Sequence, residues 1–181
     1  VLLYFGQMRA EKGVELLVKA LRRYEGPPAT AVLAGSPTDV DPELLRSVDN
    51  DQIETVVNDE FVPQVRVSAY FAAADAVVFP YRRSFGRERP SGVFQKACAA
   101  HRPTVVPGFG VFERTVTEYG VGVTFEPGDP DSLAERLASM VADTESVVGR
   151  ADFEEYCRTH SYDHLASQFE SVYERVTADG R

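Results

Sequence analysis

The sequence predicts an α/β domain: a doubly wound, mostly parallel sheet with helices on both faces. Short continuous apolar runs alternate with segments of helical spacing along the chain, and most of those runs stop at Gly or Pro. Runs of this kind mark strands buried on both faces, and βα alternation joins such strands in parallel through right-handed crossovers. At 181 residues and 44% hydrophobic content, the chain can bury one substantial core and does not require a second.

Val1 to Phe5 is an apolar run ending at Gly6, which reads as a strand; Val14 to Tyr24 then carries Leu16, Leu17, Ala20, Leu21 and Tyr24 in helical spacing. A second strand, Ala29 to Ala34, stops at Gly35-Ser36-Pro37, and Asp41-Pro42 signals the start of a helix over Glu43 to Val48. Ile53 to Val57 is a third strand, Val65 to Ala74 a helix with Val67, Tyr70, Phe71 and Ala74 on one face, and Ala76 to Phe79 a fourth strand closed by Pro80. Tyr81 to Pro90 is a polar, Arg-rich stretch without periodicity. Ser91 then opens a helix to about Ala100, Thr104 to Val106 is a strand, and Val111 to Tyr119 is a helix. Gly122 to Phe125 gives a short strand before the amphipathic helix Pro130 to Val141. The segment 146–178 reads as two helices, broken near His160-Ser161 and packing on the domain.

Composition narrows the partners. Acidic residues outnumber Lys and Arg 28 to 19, for a net charge of −9, so a polyanion such as nucleic acid is excluded as a ligand. Cys98 lies among small apolar residues, where a thiol acts as a small hydrophobe, and the cysteine usage fits a reducing cytoplasm. No apolar run reaches the roughly 18 residues that span a bilayer. A chain that opens inside a strand implies a further segment upstream.

In a doubly wound sheet, ligands sit at the carboxyl ends of the strands. The loop Gly6-Gln7-Met8-Arg9-Ala10-Glu11-Lys12-Gly13 belongs at that edge, with Lys12 beside a helix start, an arrangement that favours an anion. Pro90-Ser91-Gly92-Val93 supplies a capping hydroxyl and a glycine that lets phosphate oxygens approach free N–H groups. Between them, Arg82, Arg83, Arg87 and Arg89 could clamp a diphosphate or a sugar. Glu88, the carboxylate of that stretch and the candidate catalytic residue, could orient sugar hydroxyls or balance positive charge developing at an anomeric carbon, or else pair with a neighbouring arginine. His101, His160 and His164 show no metal-ligand spacing, so no metal is expected. Nucleophile-elbow, Walker A and GxGxxG patterns are absent.

Read in order, the blocks FGQMRAEKGVELLVKAL, VLAG, FVPQVRVSAYFAAADAVVFPYR, SGVFQKACAAHRPTVV and GVGVTFEPGDPDSLAERLASM resemble the carboxyl-terminal domain of family 4 glycosyltransferases, which have the two-domain GT-B fold. The resemblance implies a Rossmann-like donor-binding domain over residues 1–181, a UDP- or GDP-sugar as substrate with no further cofactor, and an amino-terminal acceptor domain outside this chain. Any membrane contact would come through that other half. Lys12 matches the family's diphosphate-binding lysine, whereas Gln7 stands where an arginine is usual, a gap that Arg9 or an arginine of the 81–89 stretch could fill. Phe61 and Val62 match the segment whose backbone meets the base, and Ser91, Gly92 and Val93 match the turn that holds the phosphates. Glu88 matches the first of two glutamates eight positions apart; the second position is Lys96, which cannot accept hydrogen bonds from a ribose diol. A non-catalytic binding or scaffold module derived from such an enzyme is the alternative.

Overall fold

A computed structural model describes residues 1–179; Gly180 and Arg181, at the end of the expected domain, lie outside the described residues. The strands β1 (Leu2–Phe5), β2 (Ala29–Ala34), β3 (Ile53–Asn58), β4 (Ala76–Val78), β5 (Thr104–Pro107) and β6 (Gly122–Phe125) form one sheet of order β3-β2-β1-β4-β5-β6. Every pairing is parallel. The expected α/β fold is the observed one, and each strand lies within one residue of its expected bounds.

The helices among the described residues are α1 (Val14–Arg22), α2 (Pro42–Leu45), α3 (Gln64–Ala73), α4 (Gly92–Ala99), α5 (Gly110–Tyr119), α6 (Pro130–Ala142), α7 (Thr144–Arg150), α8 (Phe153–Thr159) and α9 (Tyr162–Asp179). Strand side chains alternate between two cores. Leu2, Tyr4, Ala31, Leu33, Val78 and Val105 meet α1, α2, α6 and α7 on one face. Leu3, Val77, Phe79 and Val106 meet α3, α4, α5 and α8 on the other. Helices thus cover both faces, which is why the strands carry apolar residues without alternation.

The chain enters at the centre, winds outward through β2 and β3, then returns to lay β4 beside β1. The loops leaving β1 and β4 therefore start from adjacent strands and depart to opposite sides, which opens a crevice at the carboxyl edge.

Helix ends follow local chemistry. Asp129 caps α6 by accepting the N–H groups of Asp131 at 2.8 Å and Ser132 at 3.2 Å, with Pro130 in the first turn. Replacing Asp129 by alanine should cost about 1 kcal/mol. Thermal unfolding followed by circular dichroism would then show a melting temperature lower by about 2–4 °C, and an unchanged value would refute the cap's contribution.

The segment 146–178 needs correcting in two respects. A further break at Ala151-Asp152 separates α7 from α8, because Asp152 caps a new helix by accepting the Glu155 N–H at 2.9 Å. Val147, Phe153 and Tyr156 anchor α7 and α8 in the cores, whereas α9 meets α8 and leaves most of its large apolar side chains on the surface. Its Tyr162, Leu165, Phe169, Val172, Tyr173 and Val176 are exposed, since the sheet's apolar faces are already covered by the other helices.

Candidate functional site

The loop after β1 is pinned by hydrogen bonds to the loop after β2. Gly6 donates its N–H to Ala34 O at 2.9 Å, Met8 to Ser36 O at 2.9 Å, and Thr38 to Met8 O at 3.0 Å. The Ala10 N–H is held by Asp39 Oδ1 at 2.8 Å, and Met8 is fully buried. Burial pushes the Tyr4 phenol far above its usual range, so it stays protonated and donates to Gln7 O at 3.2 Å. A short 3-10 turn, Ala10–Lys12, then presents Lys12, and Gly13 closes it at φ 67°. A side chain at Gly13 would place its Cβ 1.8 Å from Pro80 O, so the loops after β1 and β4 are in backbone contact there. They are also joined by the Arg82 N–H donating to Glu11 O at 3.0 Å.

Lys12 and the start of α4 meet over Gly6. A Cβ added at Gly6, whose φ is 114°, would lie 3.4 Å from Lys12 Nζ and 3.5 Å from Val93 Cγ2. The Lys12 ammonium is half-buried 5.8 Å from the centroid of the Tyr81 ring, with no carboxylate within ion-pair distance among the described residues. Burial lowers its pKa, and Arg9 and Arg89 lower it further against an opposing pull from Glu11. A partly desolvated cation without a counter-ion is primed for an anion.

At the head of α4, the buried Ser91 accepts the Phe94 N–H at 3.4 Å and shares a hydrogen bond with the Tyr81 hydroxyl at 3.2 Å. Burial pushes the Tyr81 phenol up to about 12, which keeps that hydroxyl protonated. The Gly92 and Val93 N–H groups have no acceptor among the described residues, and a Cβ at Gly92 would meet nothing within 4 Å. The Lys12 ammonium thus lies beside Gly6 together with the Val93 side chain of the helix end that carries these open amides.

The arginines of the 81–89 stretch are dispersed. Arg82 reaches Glu15 on α1 at 2.8 Å, and Arg83 reaches Glu126 at 3.8 Å while lying over Phe109. Arg89 joins Arg9 on one shared carboxylate, Glu11, at 3.2 and 3.8 Å. Arg9 also donates to Gln7 Oε1 at 2.6 Å. Glu88 takes both guanidinium nitrogens of Arg114, at 3.0 and 2.5 Å, and that pairing holds its carboxyl below the usual range. The ion pair that competed with the sugar-orienting reading is thus present, with its partner on α5.

Val62 is buried in the core beneath α3 and α4, and Phe61 beside it is exposed. Lys96 is exposed, lining a groove between α3 and α4 with Gln64, Ser68 and Arg102. Sequence reasoning gave no role to Glu11 or Tyr81, whose significance lies in neighbours distant in sequence. Among the described residues, no group of three or more His, Cys, Asp or Glu side chains could hold a metal ion. No described helix is long and apolar enough to cross a membrane.

Residues 1–143 match the family described as Glycosyl transferases group 1. The chain belongs to that family. A curated relative, D-inositol 3-phosphate glycosyltransferase of Corynebacterium glutamicum, is 25% identical over 99% of this chain and 44% of its own length. Sucrose-phosphate synthase from Thermosynechococcus elongatus superposes with a TM-score of 0.73 at 23% identity, over 98% of this chain and 45% of that one. Anabaena HepE, solved in complex with UDP, superposes with a TM-score of 0.67 at 19% identity, over 98% of this chain and 48% of that one. The group 1 chain thus spans somewhat under half the length of these relatives and has the α/β fold of GT-B neighbours.

Proposed function

We propose that this group 1 domain binds the nucleoside diphosphate of a UDP- or GDP-sugar in the crevice between Lys12 and the head of α4. The whole protein would then transfer a hexose to a glycan or lipid-linked acceptor, with retention, as a family 4 glycosyltransferase. The observation that carries this reading is the meeting of Lys12 Nζ and Val93 above a glycine floor at Gly6. Structures of Anabaena HepE with UDP and with UDP-glucose support the ligand class. The acceptor would be held by an amino-terminal domain across the crevice. Work in the cytoplasm, with any membrane contact made through that other domain, belongs to the same reading, as does the absence of a resident metal.

The chemical task is departure of a nucleoside diphosphate. Charge growing on the leaving phosphate is stabilised by donors already aimed at it, here the Lys12 ammonium and the Gly92 and Val93 amides. Arg9 and Arg89 supply the cation that Gln7 cannot, because both lie close enough to Lys12 to depress its pKa. An entering diphosphate competes with Glu11 for them, and exposed ion pairs of this kind are worth only about 0–1 kcal/mol. Glu88 stays ionised and able to accept sugar hydroxyls while Arg114 orients it. The base and ribose would lie toward Phe61, Val62 and Lys96, with Lys96 donating where a glutamate would accept.

Gln7 and Lys96 favour one competing reading, a non-catalytic scaffold. Calorimetric titration with UDP, GDP and their sugars separates the two: saturable heat and thermal stabilisation with one base are expected. Silence with all four ligands would leave the scaffold. Transfer by the 181-residue chain alone would refute the need for a second domain.

A further inference from the structure

A second basic site lies outside the nucleotide crevice. Between α1 and the amino-terminal end of α6, a groove is lined by Lys19, Arg22, Arg23, Arg82 and Arg83, floored by Leu16 and closed by Pro127, Gly128 and Pro130. No carboxylate lines it, in a chain whose net charge is −9. Three of its cations have partners at the rim: Arg23 with Asp131 at 3.4 Å, Arg82 with Glu15 at 2.8 Å and Arg83 with Glu126 at 3.8 Å. All three pairs are solvent-exposed and therefore weak. Lys19 and Arg22 have no ion pair among the described residues. Arg22 is nonetheless held in place, donating to Ser47 O at 3.2 Å and Ser47 Oγ at 2.5 Å.

Four guanidinium groups with one ammonium suit a compact, multiply charged oxyanion, because the arginine fork bonds two phosphate oxygens at once. The α6 amides are not the source of attraction, since Asp129 already occupies them. The mouth is open at Gly128, where a Cβ would meet nothing within 4 Å. Arg82 separates the two sites: its main chain bonds the Lys12 loop while its side chain turns to α1. We infer that this groove binds a phosphomonoester, borne by a soluble molecule or by a lipid headgroup, independently of the nucleotide site.

The test is an amide-shift titration of the chain with inorganic phosphate at constant ionic strength, repeated on the double variant Lys19→Gln/Arg22→Gln. Both positions are exposed and outside the crevice. Saturable shifts at Arg22, Arg23, Arg83 and Gly128 are expected, weakened at least about tenfold in the variant, because each lost charged contact costs a factor of that order. The variant's melting temperature and its response to UDP should match the parent's. Shifts that do not saturate, that are unchanged in the variant, or that UDP abolishes would overturn the proposal. Vesicles of phosphatidic acid, a lipid phosphomonoester, in phosphatidylcholine identify the source: variant-sensitive co-sedimentation means a lipid headgroup, and saturable phosphate binding without sedimentation means a soluble ester; either supports the site.

Discussion

Lys12→Gln raises the dissociation constant for whichever of UDP or GDP the chain binds by about 10- to 100-fold, with no loss of melting temperature in the ligand-free protein. The magnitude follows from a charge-assisted hydrogen bond, worth about 1.5–3 kcal/mol, and from tenfold in affinity per 1.4 kcal/mol. The unchanged fold follows from what Lys12 lacks. Its ammonium is half-buried, lowered in pKa by that burial, and paired with no carboxylate among the described residues, so removing the charge relieves a desolvation cost. Calorimetry and thermal melts on the same preparation check both halves. Equal affinity in parent and variant would show that the phosphates bind elsewhere, and the proposed function would fall with them.

Gly13→Ala should be the most damaging single methyl in the molecule. The added carbon would lie 1.8 Å from Pro80 O, and the backbone at φ 67° is one that only glycine adopts freely. Strain and the forced parting of two loops should together cost about 3 kcal/mol or more. At about 2–4 °C per kcal/mol, the melting temperature falls by roughly 6–12 °C. Gly128→Ala is the control: its φ is 88°, yet a Cβ there would meet nothing within 4 Å, so it bears only the conformational cost of about 1–2 kcal/mol. If the two variants lose the same stability, the contact between the loops after β1 and β4 is not what constrains Gly13.

The sheet could be read from the sequence because its signals are local. Ala29–Ala34 and Gly122–Phe125 are bounded as expected, since turn residues punctuate apolar runs within a few positions. The Tyr81 to Pro90 stretch was harder to read. It looks like a polar loop, yet Tyr81 and Phe85 are buried against Phe79 and Phe112, with ring centroids 4.4 to 6.3 Å apart. Interspersed arginines hide that packing from any periodicity, and the Arg83–Phe85 turn with it. Partner choice was hidden for the same reason. Glu88 finds Arg114, Arg89 finds Glu11 and Arg82 finds Glu15, contacts that the winding of the sheet creates. Lys12 and the turn at Ser91 are legible in the sequence as candidate phosphate-binding elements, but their common approach to Gly6 is not.

The pairing of Leu2 with Ala76 and of Leu3 with Val77 also has a kinetic meaning. A nascent chain can build β1, β2 and β3 from near neighbours, yet it owns no binding site until residues far downstream return to the centre. Closing so large a loop is the slow, entropically costly step of assembly. A nucleotide bound there, as proposed, would recognise only the finished topology, so it should act as a stabiliser of the completed state alone and report, through mass action, the fraction of molecules that have reached it.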